Sequence, residues 1–111
     1  MERTLYENLT LDQERALYGV RGALVRRCRF EGPADGESAL KECRDVVVED
    51  CDFLLRYPFW HAQDTRIAHS RMTETCRAAL WYDRDIRLED CQLGGIKAVR
   101  ECDSVTLEDC R

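Results

Sequence analysis

Two sets of side chains in this 111-residue chain have the types and spacing to do chemistry. The first is a set of seven cysteines. A thiol can serve as nucleophile, metal ligand or disulfide partner, but nucleophilic use needs a lowered pKa and zinc binding needs a close-spaced donor set. The count is odd, no CxxC pair occurs, and the start, Met1-Glu2-Arg3-Thr4, lacks the apolar core of a secretion signal. Neither a disulfide framework nor a zinc knuckle is expected. The second set combines aromatic and charged residues: Tyr57, Trp60 and His61, then Trp81 and Tyr82, then Lys97, Arg100 and Glu101. Aromatic rings beside titratable groups suit stacking on sugar rings or a protein contact.

What positions these residues is an internal repeat. Aligned on Cys28, Cys51, Ser70, Cys91 and Cys110, successive copies are offset by 23, 19, 21 and 19 residues. Three positions before each anchor stand Val25, Val48, Ile67, Leu88 and Leu107, and five before stand Ala23, Val46, Thr65, Ile86 and Val105. Eleven before stand Leu17, Leu40, Phe59, Leu80 and Val99, and two after come Phe30, Phe53, Met72 and Leu93. Apolar residues alternating with a period of two are a strand signal, and no 3.6-residue stripe is sustained long enough for a helix. The apolar parity shifts across Glu49-Asp50, Glu89-Asp90 and Glu108-Asp109, as expected where a strand turns a corner.

A period near twenty residues admits a leucine-rich repeat or a parallel β-helix. The regularly spaced leucines with Asn or Cys of the former are missing. The expected fold is therefore all-β, a single-stranded right-handed parallel β-helix, or solenoid, of about five coils of 19–23 residues. Right-handedness follows from the strong bias of parallel connections. Like residues then stack about 4.8 Å apart, and five coils rise roughly 20 to 24 Å. Residues 1–13 are expected as an N-terminal strand or cap and 14–111 as stacked coils of one domain. The chain stops one residue past an anchor, so it is expected to be a fragment of a longer protein or to be completed by a partner.

The stacking gives each residue type a local meaning. Cys28, Cys51, Cys91 and Cys110 form one row with Ser70 in the middle, and Cys43 and Cys102 share another with Ala62 and Asp83 between them. Small buried thiols filling tight corners are the expected role. Cys76 lies outside both rows and is expected to be the most exposed. Just after the Leu17 row stand Tyr18, Lys41, Trp60, Trp81 and Arg100, followed by Gly19, Glu42, His61, Tyr82 and Glu101. Alternation points the tryptophans outward. They then either line an open face or stack on each other as a satellite core. The repeated acidic pairs could form a stripe attractive to a cation, but the Gly- and Asp-rich repeat of calcium-binding β-rolls is missing. No metal and no cofactor is expected.

Bulk numbers narrow the partners. With 22 Asp and Glu against 17 Lys and Arg, the chain is a poor match for nucleic acid or an anionic membrane. No apolar run reaches the roughly 20 residues that span a bilayer. A cytoplasmic location is the expectation.

Tyr57-Pro58-Phe59-Trp60-His61, Ala78-Ala79-Leu80-Trp81-Tyr82 and Gly95-Ile96-Lys97-Ala98-Val99-Arg100-Glu101-Cys102 together resemble an uncharacterised bacterial family, domain of unknown function 3737. Leu9-Thr10-Leu11 and Glu14-Arg15-Ala16-Leu17-Tyr18-Gly19 extend the resemblance to essentially the whole chain. The family is considered pectate-lyase-like, so the resemblance implies a right-handed β-helix in a cytoplasmic bacterial setting. Members are usually longer, and this chain looks like their N-terminal part. No established activity or catalytic residue comes with it. Lyases of that fold use calcium and a basic residue, for which Arg77, Lys97 and Arg100 are the candidates, but none of their motifs is matched. The expected function is a non-enzymatic scaffold or binding protein, meeting a protein partner through its lateral face or open C-terminal end. The alternative is a carbohydrate-binding or carbohydrate-modifying protein using the groove beside Tyr57, Trp60, Trp81 and Tyr82, with His61, Lys97, Arg100 and Glu101 as polar contacts. Any catalysis would be that of a polysaccharide lyase or hydrolase, on fold analogy alone.

Overall fold

The two-residue alternation of each copy sends one row of side chains inward and the next outward, and copies stack so that their inward rows coincide. A computed structural model of the chain describes residues 3–11, 15–31, 38–95 and 98–111. The strands, in chain order, are β1 (Thr4–Glu7), β2 (Thr10–Leu11), β3 (Arg21–Arg26), β4 (Arg29–Phe30), β5 (Arg44–Glu49), β6 (Asp52–Phe53) and β7 (Phe59–Trp60). They continue with β8 (Gln63–Ala68), β9 (Arg71–Met72), β10 (Leu80–Trp81), β11 (Arg84–Glu89), β12 (Gln92–Leu93), β13 (Val99–Arg100) and β14 (Asp103–Glu108). Long strands make a six-stranded sheet in the order β1-β3-β5-β8-β11-β14, and short ones make a five-stranded sheet β2-β4-β6-β9-β12 and a three-stranded sheet β7-β10-β13. Every ladder between them is parallel. The result is a parallel β-solenoid of about five turns, and the shortest molecular extent, 22 Å, matches that number at the spacing of stacked strands.

The rows read from the sequence are the rows of the structure. Ala23 pairs with Val46, Val46 with Thr65, Thr65 with Ile86 and Ile86 with Val105. Val25, Val48, Ile67, Leu88 and Leu107 follow the same register. In the inner coils these side chains are buried, together with Leu40, Phe59, Leu80 and Met72. Phe30 and Phe53 lie parallel with ring centroids 4.8 Å apart, the spacing of the strands themselves. Of residues 1–13, those at 4–7 and 10–11 form strands that pair with β3 and β4.

Closing each coil requires the backbone to turn, and it does so at left-handed residues stacked coil over coil. One column is Asn8, Arg27, Asp50, His69, Asp90 and Asp109, and another is Gly19, Glu42, His61, Tyr82 and Glu101. A third, Gly22, Asp45, Asp64, Asp85 and Ser104, kinks β3, β5, β8, β11 and β14 at the second residue of each. Such a conformation costs roughly 1–2 kcal/mol for a non-glycine residue, and it is held by the ladders on either side. The parity shift across the Glu-Asp pairs is the first of these corners.

Gly94 and Gly95 mark a different need. A Cβ on Gly95, whose φ is +84°, would collide with the backbone carbonyl of Cys76 in the coil below. Gly19 is also left-handed, at φ +67°, but has open space around it. Gly95→Ala should therefore destabilise the chain by about 3 kcal/mol or more, whereas Gly19→Ala should cost only about 1 kcal/mol. Urea unfolding of the two variants separates them, and equal losses would refute the close-approach account.

Candidate functional site

The Leu17-row residues point inward, so the next position in each copy points out, and the parallel register of β7, β10 and β13 lays those outward side chains on one another. Trp60 pairs with Trp81 and Trp81 with Arg100. The two indoles are stacked with centroids 4.9 Å apart and planes 7° from parallel. Lys41 places its Nζ 4.2 Å from the Trp60 ring centre, and the Arg100 guanidinium lies 4.9 Å from that of Trp81. The column is thus cation, indole, indole, cation, with each cation on the ring face its coil presents.

The neighbouring left-handed corner residues form a second column beside the first. His61 and Tyr82 stack at 5.2 Å and 8°. Trp60 sits beside His61, and Trp81 beside Tyr82, at 5.9 and 5.4 Å with small interplanar angles. Four rings thereby make a two-by-two slab. Tyr57 leans across it, tilted 53° to Trp60 and 47° to Trp81. Both tryptophans are half-buried, and their indole Nε1 atoms are buried with no hydrogen-bond acceptor. Such a donor costs about 1–3 kcal/mol, which the stacking must offset.

Carboxylates one coil further on bind the tyrosines. The Tyr18 hydroxyl donates to Glu42, which raises the Tyr18 pKa and lowers that of Glu42. A hydrogen bond to Glu101 likewise raises Tyr82. Of the residues the sequence singled out, Tyr57, Trp60, His61, Trp81, Tyr82, Arg100 and Glu101 come together in this slab, and Lys97 lies outside the described residues. Sequence reading left Lys41 and Glu42 out of the site, although both fall in the right rows one copy before Trp60 and His61. The tryptophans point outward as alternation requires, but they stack on each other rather than lining an open face.

Five of the seven thiols, Cys28, Cys43, Cys51, Cys76 and Cys91, are packed in the core. Cys43, Cys51 and Cys76 are buried, and burial pushes each pKa up to about 12. Burial likewise raises Cys91 and Cys102. The expectation that Cys76 is the most exposed cysteine is wrong. It is 0% exposed, and its Sγ donates to the Phe53 carbonyl at 2.9 Å. The segment between β9 and β10 folds inward, so a residue off the repeat rows still lands in the core.

A lateral groove of about 490 Å³ runs along another corner, lined by Asp50, Asp52, His69, Arg71, Asp90 and Asp109 among others. His69 Nδ1 lies 2.9 Å from Asp90, a contact that raises the imidazole pKa. The neighbouring glutamates are interleaved with arginines. Arg66 reaches Glu89 at 2.8 Å, and Arg87 reaches Glu89 at 2.9 Å and Glu108 at 3.0 Å. Among the described residues no group of three or more His, Cys, Asp or Glu side chains is arranged to hold a metal ion.

Asp83 is the group whose behaviour sequence reading missed. It occupies the Cys43 and Cys102 row, 1% exposed, with Oδ1 accepting from the Ala62 N–H at 2.9 Å and Oδ2 unpartnered. Burial raises its pKa to about 8. Only its placement in an inward row signalled this.

The family model for a protein of unknown function (DUF3737) matches residues 4–111, and the chain belongs to that family. No curated protein matches it.

Two measurements follow. Because the folded pKa of Asp83 lies above the ordinary 3.8, its contribution to stability is complete below about pH 4. It falls by up to about 1.4 kcal/mol per pH unit as the unfolded carboxyl ionises, and is gone once pH passes the folded value. Asp83→Asn should thus gain stability relative to wild type between pH 5 and pH 8, read by urea unfolding. An offset constant with pH would refute a buried neutral acid. In native alkylation, Cys76 should stay unmodified while the half-exposed Cys102 and Cys110 react. Early modification of Cys76 would contradict its burial.

Proposed function

We propose that this protein is a non-enzymatic β-solenoid scaffold that binds another protein along its lateral face. The observation that carries this reading is that the tryptophan faces are already occupied. Lys41 covers Trp60, the indoles cover each other, and Arg100 covers Trp81. A sugar ring binds an aromatic by lying on its face, so a pyranose would have to displace a cation or separate the rings. What the slab offers to solvent is ring edges and charged groups, with Tyr82 and His61 exposed, a composition suited to a protein contact.

The chemistry of the other groups supports the same reading. A thiol with a raised pKa is a poor nucleophile, and the buried Asp83 carboxyl has no access to substrate. Solenoids with little chemistry of their own commonly present extended binding surfaces. A cytoplasmic setting belongs to this proposal and is supported by the seven unpaired thiols, which persist best in a reducing compartment. Carbohydrate binding is the competing reading, and it rests on Tyr82 and His61 as the exposed rings.

The double variant Trp60→Ala, Trp81→Ala separates the two. As a structural slab, its loss should destabilise the chain by more than about 3 kcal/mol, and a panel of uronate and neutral oligosaccharides should leave the wild-type melting temperature unchanged. A double variant that keeps wild-type stability but loses binding to a panel member would overturn the scaffold reading in favour of carbohydrate.

A further inference from the structure

We infer that the aromatic slab and the cations that frame it form a docking face for an acidic, extended segment of a partner protein. The inference rests on the scaffold reading and names the chemistry of the partner that the slab receives.

Three separate parts of the coil bring cations to the slab. Lys41 and Arg100 lie over the outer faces of the two stacked indoles. One inward residue past the His61 and Tyr82 corner, the first positions of the long strands stack as Arg21, Arg44, Gln63, Arg84 and Asp103. Glu42, whose pKa is lowered first by the Tyr18 hydroxyl and then by Lys41, His61 and Arg44, ties that row to the slab. On the opposite flank the Tyr57 N–H donates to the carbonyl of Arg77 at 2.9 Å. This places the exposed Arg77 one coil on, at the edge where Tyr57 leans across both indoles.

These cations differ from most other arginines of the solenoid in having no carboxylate to answer them. Elsewhere Arg26 meets Glu7, Arg29 meets Glu31, Arg66 meets Glu89 and Arg87 meets Glu108. Among the described residues Arg21, Lys41, Arg44, Arg77, Arg84 and Arg100 form no ion pair. The corner carboxylates Glu42 and Glu101 are held by Tyr18 and Tyr82 instead. Asp45, Asp64 and Asp85 stand one residue further along the sheet, and Asp45 is taken by Arg3 at 2.9 Å. Six cations thus frame the slab against Glu42, Glu101 and Asp103, on a chain whose net charge is -5. A positive face on a negative protein orients association and favours an anionic partner there.

The chemistry of the frame selects the occupant. Arginine, tryptophan and tyrosine are the residues on which protein contacts concentrate their binding energy, and the guanidinium fork matches a carboxylate in shape. Arg44 and Arg84 are two coils apart, about 9.6 Å at the strand spacing, a separation that suits two carboxylates rather than one. A chain in the polyproline II conformation rises about 3.1 Å per residue and returns a side chain to the same side about every 9.3 Å. Glu or Asp at every third residue then meets both arginines as the chain runs along the solenoid axis past the exposed His61 and Tyr82. Single-stranded nucleic acid fits less well, because its bases stack on open ring faces. The indole faces here are covered by Lys41, by Arg100 and by each other.

Both tryptophans of the chain lie in the slab, so their emission reports on this face alone. A synthetic peptide with Glu at every third residue should shift that emission and bind the 111-residue chain at least ten-fold more tightly than its Gln and Lys counterparts. Its affinity should fall as salt rises. Arg44→Glu with Arg84→Glu, which breaks no ion pair, should remove most of the preference while the melting profile verifies folding, and the milder Arg44→Gln with Arg84→Gln should remove part of it. Arg66→Gln, on the sheet face, should leave it unchanged. Equal binding of the three peptides, unchanged emission at millimolar peptide, or a preference that survives the charge reversal would overturn the inference. Tighter binding of an oligothymidylate of equal charge would also overturn it by assigning the face to nucleic acid, and self-association lost in the charge-reversed variant would do so by assigning it to a second copy. Failure of the peptides while the oligosaccharide panel stays silent sinks this inference alone. A panel sugar whose binding is lost with the tryptophans sinks the scaffold reading as well.

Discussion

Parallel strands stacked in register leave each residue directly above its counterpart in the coil below, about 4.8 Å away, and the rest of the structure depends on that constraint. It makes every row uniform in environment. A row that faces inward must be apolar in every coil, and Val25, Val48, Ile67 and Leu88 obey this. A corner must be a corner in every coil, so left-handed residues also form columns. Each strained residue of an inner coil is held between two others with the same conformation, and at the strand kinks the ladder pairs resume on either side.

The same constraint creates a difficulty for polar rows, since like charges would stack on like. The structure resolves it diagonally. Arg66 and Arg87 reach across to glutamates of the following coil, Tyr18 reaches Glu42, and His69 reaches Asp90. Isolated exposed ion pairs contribute little to stability, about 0–1 kcal/mol, and their role here is to relieve repulsion that stacking would otherwise impose. The aromatic slab is another solution: rings tolerate stacking on their own kind, and the tryptophan column ends in cations, of opposite electrostatic character to a ring face.

How far the fold could be read from the sequence follows from the same geometry. Inward rows were legible because burial filters them by hydrophobicity five times over, which is why Cys28, Cys51, Ser70, Cys91 and Cys110 could anchor the alignment. Corners were legible only where Glu-Asp recurs, since Asn, Arg, His, Tyr and Glu also adopt the left-handed conformation here. Cys76 was misplaced because it belongs to no row: its segment tucks under the coil, and a non-repeating stretch carries no periodicity from which to infer direction. Asp83 was in the correct row, but residue type pointed outward while position pointed inward. Position prevailed, and the carboxyl gave up its charge. For the slab, alternation fixed the outward direction of Trp60 and Trp81, but ring-on-ring contact depends on rotamers that a row alignment does not contain.

The cysteine row shows why a corner would select a thiol. In each coil the anchor side chain turns back to the carbonyl two residues before it: Cys51 to Glu49 at 3.2 Å, Ser70 to Ala68 at 2.9 Å, and Cys91 to Glu89 at 3.3 Å. Cys51 and Cys91 also approach carbonyls of the coil below, those of Val25 and Ile67, at 3.6 Å. The position therefore needs a side chain small enough for a tight corner, apolar enough for the core and able to donate one weak hydrogen bond. Cysteine satisfies all three, and serine satisfies the first and last with a stronger bond. Ser70 stands in that row without disturbing its neighbours, accepting from the Cys51 N–H at 3.2 Å as Cys51 accepts from Cys28 at 3.5 Å. Interchange within the row argues that the thiols are selected for size and hydrogen bonding rather than for redox or metal chemistry.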